Sequence, residues 1–518
     1  METKMRTSTR LLAALGAMSL SALGGVLVMS EPALAVDTPS PLTAAQVRGS
    51  IAYLQSEYGV SESEALRRLD LQRMNAVLDE QLALNYPDTF AGAEIDQAAG
   101  GLLLIHATDT RAIAQAVREV RDVEHIRVVG AKYSLKELHE VAGQLDAELN
   151  THGGKQRVAE AVADVQQNAV VVYQHAGEQQ AARATAAERK RLESESPASV
   201  DTRIARAAVR HGDRVKIRQM IGGKEKMKVS SGPVVTGLVS TPSCIPEYCG
   251  KPMRGGQRLD VRRNSPSPVY PNGEALNATW GQCTNGFNIK DSRGWSFILT
   301  AGHCTVGPNK TGDTRTFSSY ETGRTPVGYE LGDWENANVD GASSYPWDFA
   351  LQPYVTTSTT NYAETWLSGY SRNLVNSYCW SSEGTNACTE GTFGITGYYG
   401  YGSIDIGWVV CGSGSADASS TSGYHSNIGY YNGTRCGGVT AKDGGIRTNL
   451  CMRPGDSGGP LFSEADSKAY GILTDGTDGS GKCPTNPAGR EYSRYTPISN
   501  AFSLAKTQSG YTFNVHTS

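Results

Sequence analysis

Apolar side chains recur at helical spacing in the first part of the chain, and in short runs divided by Gly-rich turns in the last. Val47, Ile51 and Leu54 fit one face of a helix over residues 43–58 that ends at Gly59. Ser61 and Glu64 then stand three apart, where hydroxyl and carboxylate can satisfy each other's free N–H groups, so a second helix opens there. It carries Leu66, Leu69, Met74, Val77, Leu78 and Leu82 on or near one face. Tyr86-Pro87 stops it, because a residue before proline is pushed away from helical angles. Leu102–Ile105, Ile126–Val129 and Ala169–Tyr173 read as strands, and Ser134 with Glu137 caps a helix bearing Leu135, Leu138, Val141 and Leu145. These elements predict a small α+β module.

Residues 176–200 are Ala, Gln, Arg and Glu with almost no large apolar side chains. Such a stretch cannot build a core and reads as a linker. A second small lobe is possible from Val200 to Met227, where Arg210, His211, Arg214, Lys216 and Arg218 make a locally basic stretch, read here as solvated surface. Pro and Gly residues over 231–275 suit a processing boundary. Beyond it, Gly294–Thr300, Ile404–Val410 and Ala469–Thr474 are short apolar or aromatic runs, and the density of strands and turns predicts one or two β-barrels.

Composition sharpens this division. The chain has 518 residues, which suggests about two to four domains. Its net charge is −4, with no basic stripe interleaved with aromatics, so nucleic acid is not expected as a partner. All ten cysteines lie between Cys244 and Cys483, which suggests disulfides formed in an oxidising compartment. No CxxC pair or matching Cys/His spacing indicates zinc, and neither metal nor cofactor is expected. Lys4, Arg6 and Arg10 precede an apolar run from Leu11 to Met29, and Ala33-Leu34-Ala35 follows. A retained membrane anchor is the alternative, but the charged start and small-x-small ending favour a cleaved export signal over residues 1–35.

Three short segments carry the chemistry. Gly455-Asp456-Ser457-Gly458-Gly459-Pro460 puts a serine on a side-chain-poor turn. Such a turn can expose the hydroxyl and aim backbone N–H groups at an oxyanion. Ser457 is the candidate nucleophile, with the N–H groups of Gly455 and Ser457 as the oxyanion hole. Thr300-Ala301-Gly302-His303-Cys304 offers a base in His303. Trp347-Asp348-Phe349-Ala350-Leu351 offers an orienting carboxylate in Asp348. Asp333 and Asp340 compete for that role, but only Asp348 is followed by a buried-looking apolar run; His425 and His516 lack a flanking motif. The Gly-x-Ser-x-Gly pattern also fits an α/β-hydrolase elbow, whose histidine must follow the serine. Only His516 does so, three residues from the end, and the β-rich context lacks alternating helices, so that alternative fails.

In that order the three segments resemble the chymotrypsin-like (S1) serine proteases, over roughly residues 250–510, with 45 residues from His303 to Asp348 and 109 from Asp348 to Ser457. The long N-terminal part and Cys451-Met452-Arg453-Pro454-Gly455-Asp456-Ser457 are similar to the bacterial alpha-lytic protease and streptogrisin branch. The resemblance implies a mostly β protein, a double six-stranded antiparallel β-barrel preceded by an α+β pro-region. It implies a pro-region over 36–175, a linker and possible small lobe over 176–230, and a protease domain over 231–518, starting within about 231–256 when mature. It also implies that the pro-region acts as folding catalyst and inhibitor, the mature fold being trapped behind a high unfolding barrier. Implied disulfides are Cys283–Cys304, Cys451–Cys483 and Cys411–Cys436, with Cys379–Cys388 and Cys244–Cys249 pairing the remainder. Relatives often read Cys-Arg-Ser-Gly where this chain has Cys411-Gly412-Ser413-Gly414. The missing Arg leaves the partner of Asp456 open between a processed N-terminal amine and another Arg, and a buried unpaired carboxylate is costly.

The same resemblance lines the primary specificity pocket with Asn449, Leu450, Met452, Thr474, Asp475 and Gly476. Trypsin-like members carry Asp where Asn449 stands, so apolar or aromatic P1 residues are expected, with Asp475 near the rim the obvious exception. Two other classes were weighed. A pseudoprotease needs a broken triad, and none is broken. A glycosylated surface protein would suit the sequons at Asn277, Asn309 and Asn432, which are common by chance. The expected protein is a secreted, monomeric serine endopeptidase acting on proteins or peptides, with its own pro-region as partner and no membrane association once the signal is removed.

Overall fold

The computed structural model describes residues 40–149, 159–175, 201–220, 228–229, 252–265, 279–305, 313–318, 325–329, 345–354, 367, 371–377, 391–415, 434–476 and 492–517. The expected export signal, the expected linker over 176–200, and Asp333, Asp340 and His425 lie outside them. Among the described residues, no helix is long and apolar enough to cross a membrane.

The N-terminal module opens with α1 (Arg48–Tyr58) and α2 (Glu62–Asn85). Gly59 ends α1 in the left-handed region at φ +66, and the Ser61 hydroxyl accepts the N–H of Glu64, so both predicted boundaries hold. A three-stranded sheet follows: β1 (Phe90–Asp96) pairs antiparallel with β2 (Leu102–Ala107), which pairs parallel with β3 (Ile126–Gly130). The parallel step is bridged by α3 (Thr110–Val117), whose cap is Asp109. Next come α4 (Leu135–Leu149), β4 (Ala159–Asp164) and β5 (Ala169–His175).

The basic stretch near residue 210 is not a lobe of its own in the structure. Thr202–His211 forms α5, and β6 (Val215–Met220) pairs parallel with β5, completing a sheet in the order β4-β5-β6. Arg214 bonds Glu137 of α4, and the apolar face of α5 buries Ile204 and Ala207 against Leu138 and Leu145. The Ile204 side chain is what commits this segment to the module.

The remaining strands are β7 (Lys228–Val229), β8 (Arg258–Ser265), β9 (Thr279–Thr284), β10 (Phe287–Asp291), β11 (Ser296–Thr300), β12 (Asp313–Ser318), β13 (Thr325–Tyr329), β14 (Ala350–Pro353), β15 (Leu374–Ser377), β16 (Gly391–Gly394), β17 (Gly397–Tyr398), β18 (Val409–Ser413), β19 (Thr434–Lys442), β20 (Ile446–Thr448), β21 (Pro460–Ser463), β22 (Lys468–Gly476), β23 (Ser493–Pro497) and, after α6 (Ile498–Ser509), β24 (Phe513–Val515). Six of them close on themselves: β22-β21-β18-β19-β20-β23 with β23 returning to β22, every pairing antiparallel. This closed six-stranded barrel matches one of the two expected. β17 adds to β22 outside the ring, and the other strands form open sheets among the described residues, β14-β11-β10-β24, β13-β12-β8-β9-β7 and β15-β16.

The apolar run Ile404–Val410 does not become a strand along its length. Tyr401–Ser403 is a 3₁₀ turn and the strand starts only at Val409, because Ile404 and Trp408 are buried against the module instead. One continuous core joins Leu71, Met74, Leu78 and Leu82 of α2 to Trp408, Tyr470 and Tyr495 of the barrel. A second joins Ile51 and Leu54 of α1 to Phe462 and Ile472. A fully buried Leu such as Leu54 or Leu78 contributes roughly 1.5–3 kcal/mol relative to exposure.

Candidate active site

Two strands set the position of His303 and Asp348. All five residues of β11 are buried, and β11 pairs with β14 in a register that ends at Thr300 opposite Ala350. The chain running on from Thr300 and the chain arriving at Ala350 therefore meet at one end of the sheet. His303 sits there in the 3₁₀ turn Gly302–Cys304, and its Nδ1 lies 2.7 Å from Asp348 Oδ2. The backbone N–H of His303 donates to Asp348 Oδ1 at 2.8 Å, so both carboxylate oxygens face one residue. Asp348 is fully buried. Its own N–H donates to Thr496 Oγ1 at 3.0 Å, and Thr496 Oγ1 lies 3.0 Å from Thr474 Oγ1. Through these threonines β22 and β23 of the closed barrel hold the backbone of Asp348.

Ser457 arrives from the barrel. Its turn is pressed onto the strand that leads to His303: a Cβ at Gly458, where φ is +85, would lie 2.1 Å from Thr300 Oγ1 and 2.7 Å from the Ala301 nitrogen. Only glycine tolerates both that angle and that approach. Thr284 clamps the turn, its N–H donating to Ser457 O and its Oγ1 to Gly455 O, both at 2.8 Å. Gly458 N–H donates to Leu473 O and Leu473 N–H to Gly459 O, tying the turn back to β22. Among the described residues, the N–H groups of Gly455 and Ser457 donate to no protein acceptor. Ser457 and His303 are both nearly buried, 4% and 8% exposed.

Asp456 is fully buried, and its Oδ2 accepts the Arg453 N–H at 2.9 Å. A Cβ at Gly414 would lie 2.1 Å from its Oδ1, so the carboxylate packs directly on β18 and its continuation. A Cβ at Gly412 would lie 2.7 Å from the Tyr495 hydroxyl. The phenol thus occupies the space beside Gly412, and burial, with the Asp456 charge adding to it, pushes its pKa well above the ordinary tyrosine value.

The expected pocket residues divide into two groups. Leu450 and Met452 lie in the barrel core with Tyr470, Leu473 and Tyr495. The Asn449 side chain turns onto β19, its Oδ1 accepting the Gly438 N–H at 2.7 Å, while its Nδ2 donates to the Tyr53 hydroxyl of α1 at 3.0 Å. Thr474 bonds Thr496, as above, and Gly476 ends β22. Asp475 is held by Arg494, with Nε 2.6 Å from Oδ1 and Nη2 bonded to Oδ2, and the guanidinium lies 4.7 Å over the Tyr345 ring. Both members of that pair are buried.

Arg494, Thr496 and Thr284 had no signal in the sequence. Each lies in an ordinary strand, and its role exists only through pairing with a distant segment. His516 is a structural residue, its Nε2 2.9 Å from Ser296 Oγ.

Disulfides join Cys283 to Cys304 and Cys411 to Cys436, the latter directly opposed in the β18–β19 register. Cys451 is also disulfide-bonded. Cys483, Cys379, Cys388, Cys244 and Cys249 lie outside the described residues. Among those described, Cys411, Cys436 and Glu464 cluster with metal-like spacing, but both thiols are spent in the disulfide; Asp122, Glu124 and His125 form a surface cluster on the module.

No family model matches the chain. Serine protease 2 of Streptomyces fradiae is 32% identical over 217 residues, which span 41% of this chain and 96% of that protein. Streptogrisin-D of Streptomyces griseus is 30% identical over 221 residues, spanning 42% of this chain and 43% of that one. Among solved structures, the Nocardiopsis protease NAPase overlaps 50% of this chain and 98% of its own at 20% identity, with a TM-score of 0.27. The chain belongs to the bacterial chymotrypsin-like (S1) serine proteases. It is a serine-protease-type hydrolase.

Proposed function

We propose that the chain is a secreted serine endopeptidase made as a preproprotein, cleaving peptide bonds through an acyl-enzyme on Ser457. The observation that carries this reading is the doubly bonded His303–Asp348 pair, at the end of the strand against which the Ser457 turn is pressed. His303 takes the Ser457 proton as the hydroxyl attacks the scissile carbonyl, and later delivers it to the leaving amine. Asp348 fixes the ring so that Nδ1 carries the proton, and stabilises the imidazolium. The N–H groups of Gly455 and Ser457 receive the oxyanion, each such donor being worth about 2.7–4 kcal/mol.

Residues 36–175, with the linker and following segment over 176–230, serve as an inhibitory pro-region that assists folding, and the open sheets belong to the second barrel of the family's fold. Support for the inhibitory role is contact with the site: Trp347, next to Asp348, donates its Nε1 to Glu160 of β4 at 2.7 Å. An apolar or aromatic P1 preference fits a pocket whose Asp475 is already neutralised by Arg494 and whose Asn449 carries no charge. The N-terminal signal accounts for export, and the substrates are proteins or peptides.

A fluorophosphonate probe tests the mechanism. Peptide mapping is expected to find the label on Ser457 of the processed enzyme, with labelling lost in His303→Ala. A label on another serine, or labelling unaffected by His303→Ala, would remove the assignment.

A further inference from the structure

Carboxyl groups are concentrated where the N-terminal module meets the barrel, away from the catalytic residues. Asp79 and Asn75 lie one turn apart on the same buried face of α2, beside Asp405, which precedes β18. The Asn75 Nδ2 donates to Asp405 Oδ2 at 2.5 Å. Among the described residues, Asp79 Oδ1 and Asn75 Oδ1 are buried without a hydrogen-bond partner. Among the described residues, the cation acting on both aspartates is Lys442 of β19, partly buried, with its Nζ on Gly402 O at 3.2 Å. Other titratable groups facing the cluster are Glu94 of β1, acting on Asp405, and His139 of α4 and Asp164 of β4, both near Lys442. Glu94 is itself engaged by His106 and Gln166. Two buried carboxylates against one ammonium leave one negative charge too many, and a single retained proton removes it.

We propose that this cluster is a proton latch: the module docks on the barrel with one proton retained by the Asp79 and Asp405 pair, and rising pH loosens the contact. The inference deepens the pro-region reading above and rests on it for its consequence, which is earlier release of the inhibitor at neutral than at acidic pH. Latch chemistry of this kind needs one carboxyl from each side of the contact, and α2 and the segment before β18 supply them.

The sign follows from the environment. Burial raises Asp79 to about 6, opposed by Lys442, and raises Asp405 in the same sense, with the Asp79 charge adding to it. A free aspartate has a pKa of about 3.9. The docked state therefore binds the proton more tightly than the undocked state. Its contribution is complete below about 4 and is lost as pH rises through about 6. At the other end of the contact, Glu464 behaves in the same sense. Its Oε2 accepts both the N–H and the hydroxyl of Ser50 at the start of α1, at 2.8 and 2.9 Å, yet burial outweighs these bonds and raises its pKa.

The test uses the full chain carrying Ser457→Ala. Amide exchange of residues 71–82 and 405–410 is measured from pH 4.5 to 7.5, each rate divided by the intrinsic rate at that pH. Protection is expected to fall by about 25-fold over this range, the part of a two-unit shift that lies above pH 4.5. Asp79→Asn, which mimics the protonated acid, is expected to flatten that fall to less than about tenfold; Asp405→Asn serves if Asp79→Asn does not fold. Protection that stays level or rises with pH, or equal slopes with and without the Asn substitution, would overturn the latch. Peptide hydrolysis by the wild-type chain over the same range reads the inhibitory role separately. Undocking that titrates without a rise in activity keeps the latch and removes the inhibitory role. Activity that follows undocking identically in wild type and Asp79→Asn removes the latch and keeps the inhibitor.

Discussion

The closed barrel pairs its strands into a complete ring, whereas the N-terminal module and the stretch leading into β18 complete each other's hydrogen bonds. Every strand of the ring has two neighbours, so its edges are gone. The module instead reaches across: Gln72 Nε2 donates to Val409 O while its Oε1 accepts the Val409 N–H, Gln97 Nε2 donates to Gly407 O, and Ile95 N–H donates to Ile406 O. The apolar contrast runs the same way. Trp408 and Tyr495 of the barrel share a core with α2, so the module contributes to a core it is expected to leave behind. The ring keeps its ladder when the module leaves, while bonds such as Gln72 to Val409 are lost to both sides.

The catalytic arrangement and the docking surface can be broken independently, and the expected effects fall in order. Asp348→Asn keeps the geometry but disturbs the imidazole tautomer, and kcat on a peptide substrate is expected to fall about 10⁴-fold with module docking unchanged. A loss under tenfold would remove Asp348 from its role. Arg494→Met strands Asp475 as a buried charge, for a loss of about 3–5 kcal/mol in a denaturant titration. Adding Asp475→Leu is expected to restore most of it; no recovery in the double variant would mean that the pair is not the cause. Leu78→Ala, in the shared core, is expected to cost about 2–5 kcal/mol of docking. Faster amide exchange in α2 with unchanged exchange in β21 and β22 checks that the loss stays on the module. Ser50→Ala removes one hydroxyl bond to Glu464 and is expected to weaken docking by about 1.5–3 kcal/mol, the smallest effect of the four.

Where local chemistry decides the structure, the sequence was readable. The Ser61 cap, the Gly59 stop, the strand into His303 and the chain order of His303, Asp348 and Ser457 needed no tertiary information. Local pattern failed where a partner decides. Ile404 and Trp408 looked like strand residues, but α2 claims them and delays the strand to Val409. The closing helix α6, absent from the sequence reading, buries Ile498, Ala501, Phe502 and Ala505 from a stretch in which Ser, Asn and Thr interrupt the apolar positions. Arg494 is separated from Asp475 by most of the β22–β23 connection, so their pairing emerges only when those strands pair in the barrel.

The most direct measurement is the intact mass of the secreted full chain carrying Ser457→Ala, with casein hydrolysis measured on the same sample. The account predicts an uncut precursor that leaves casein intact. Release of the N-terminal module together with casein hydrolysis at the wild-type rate would contradict it.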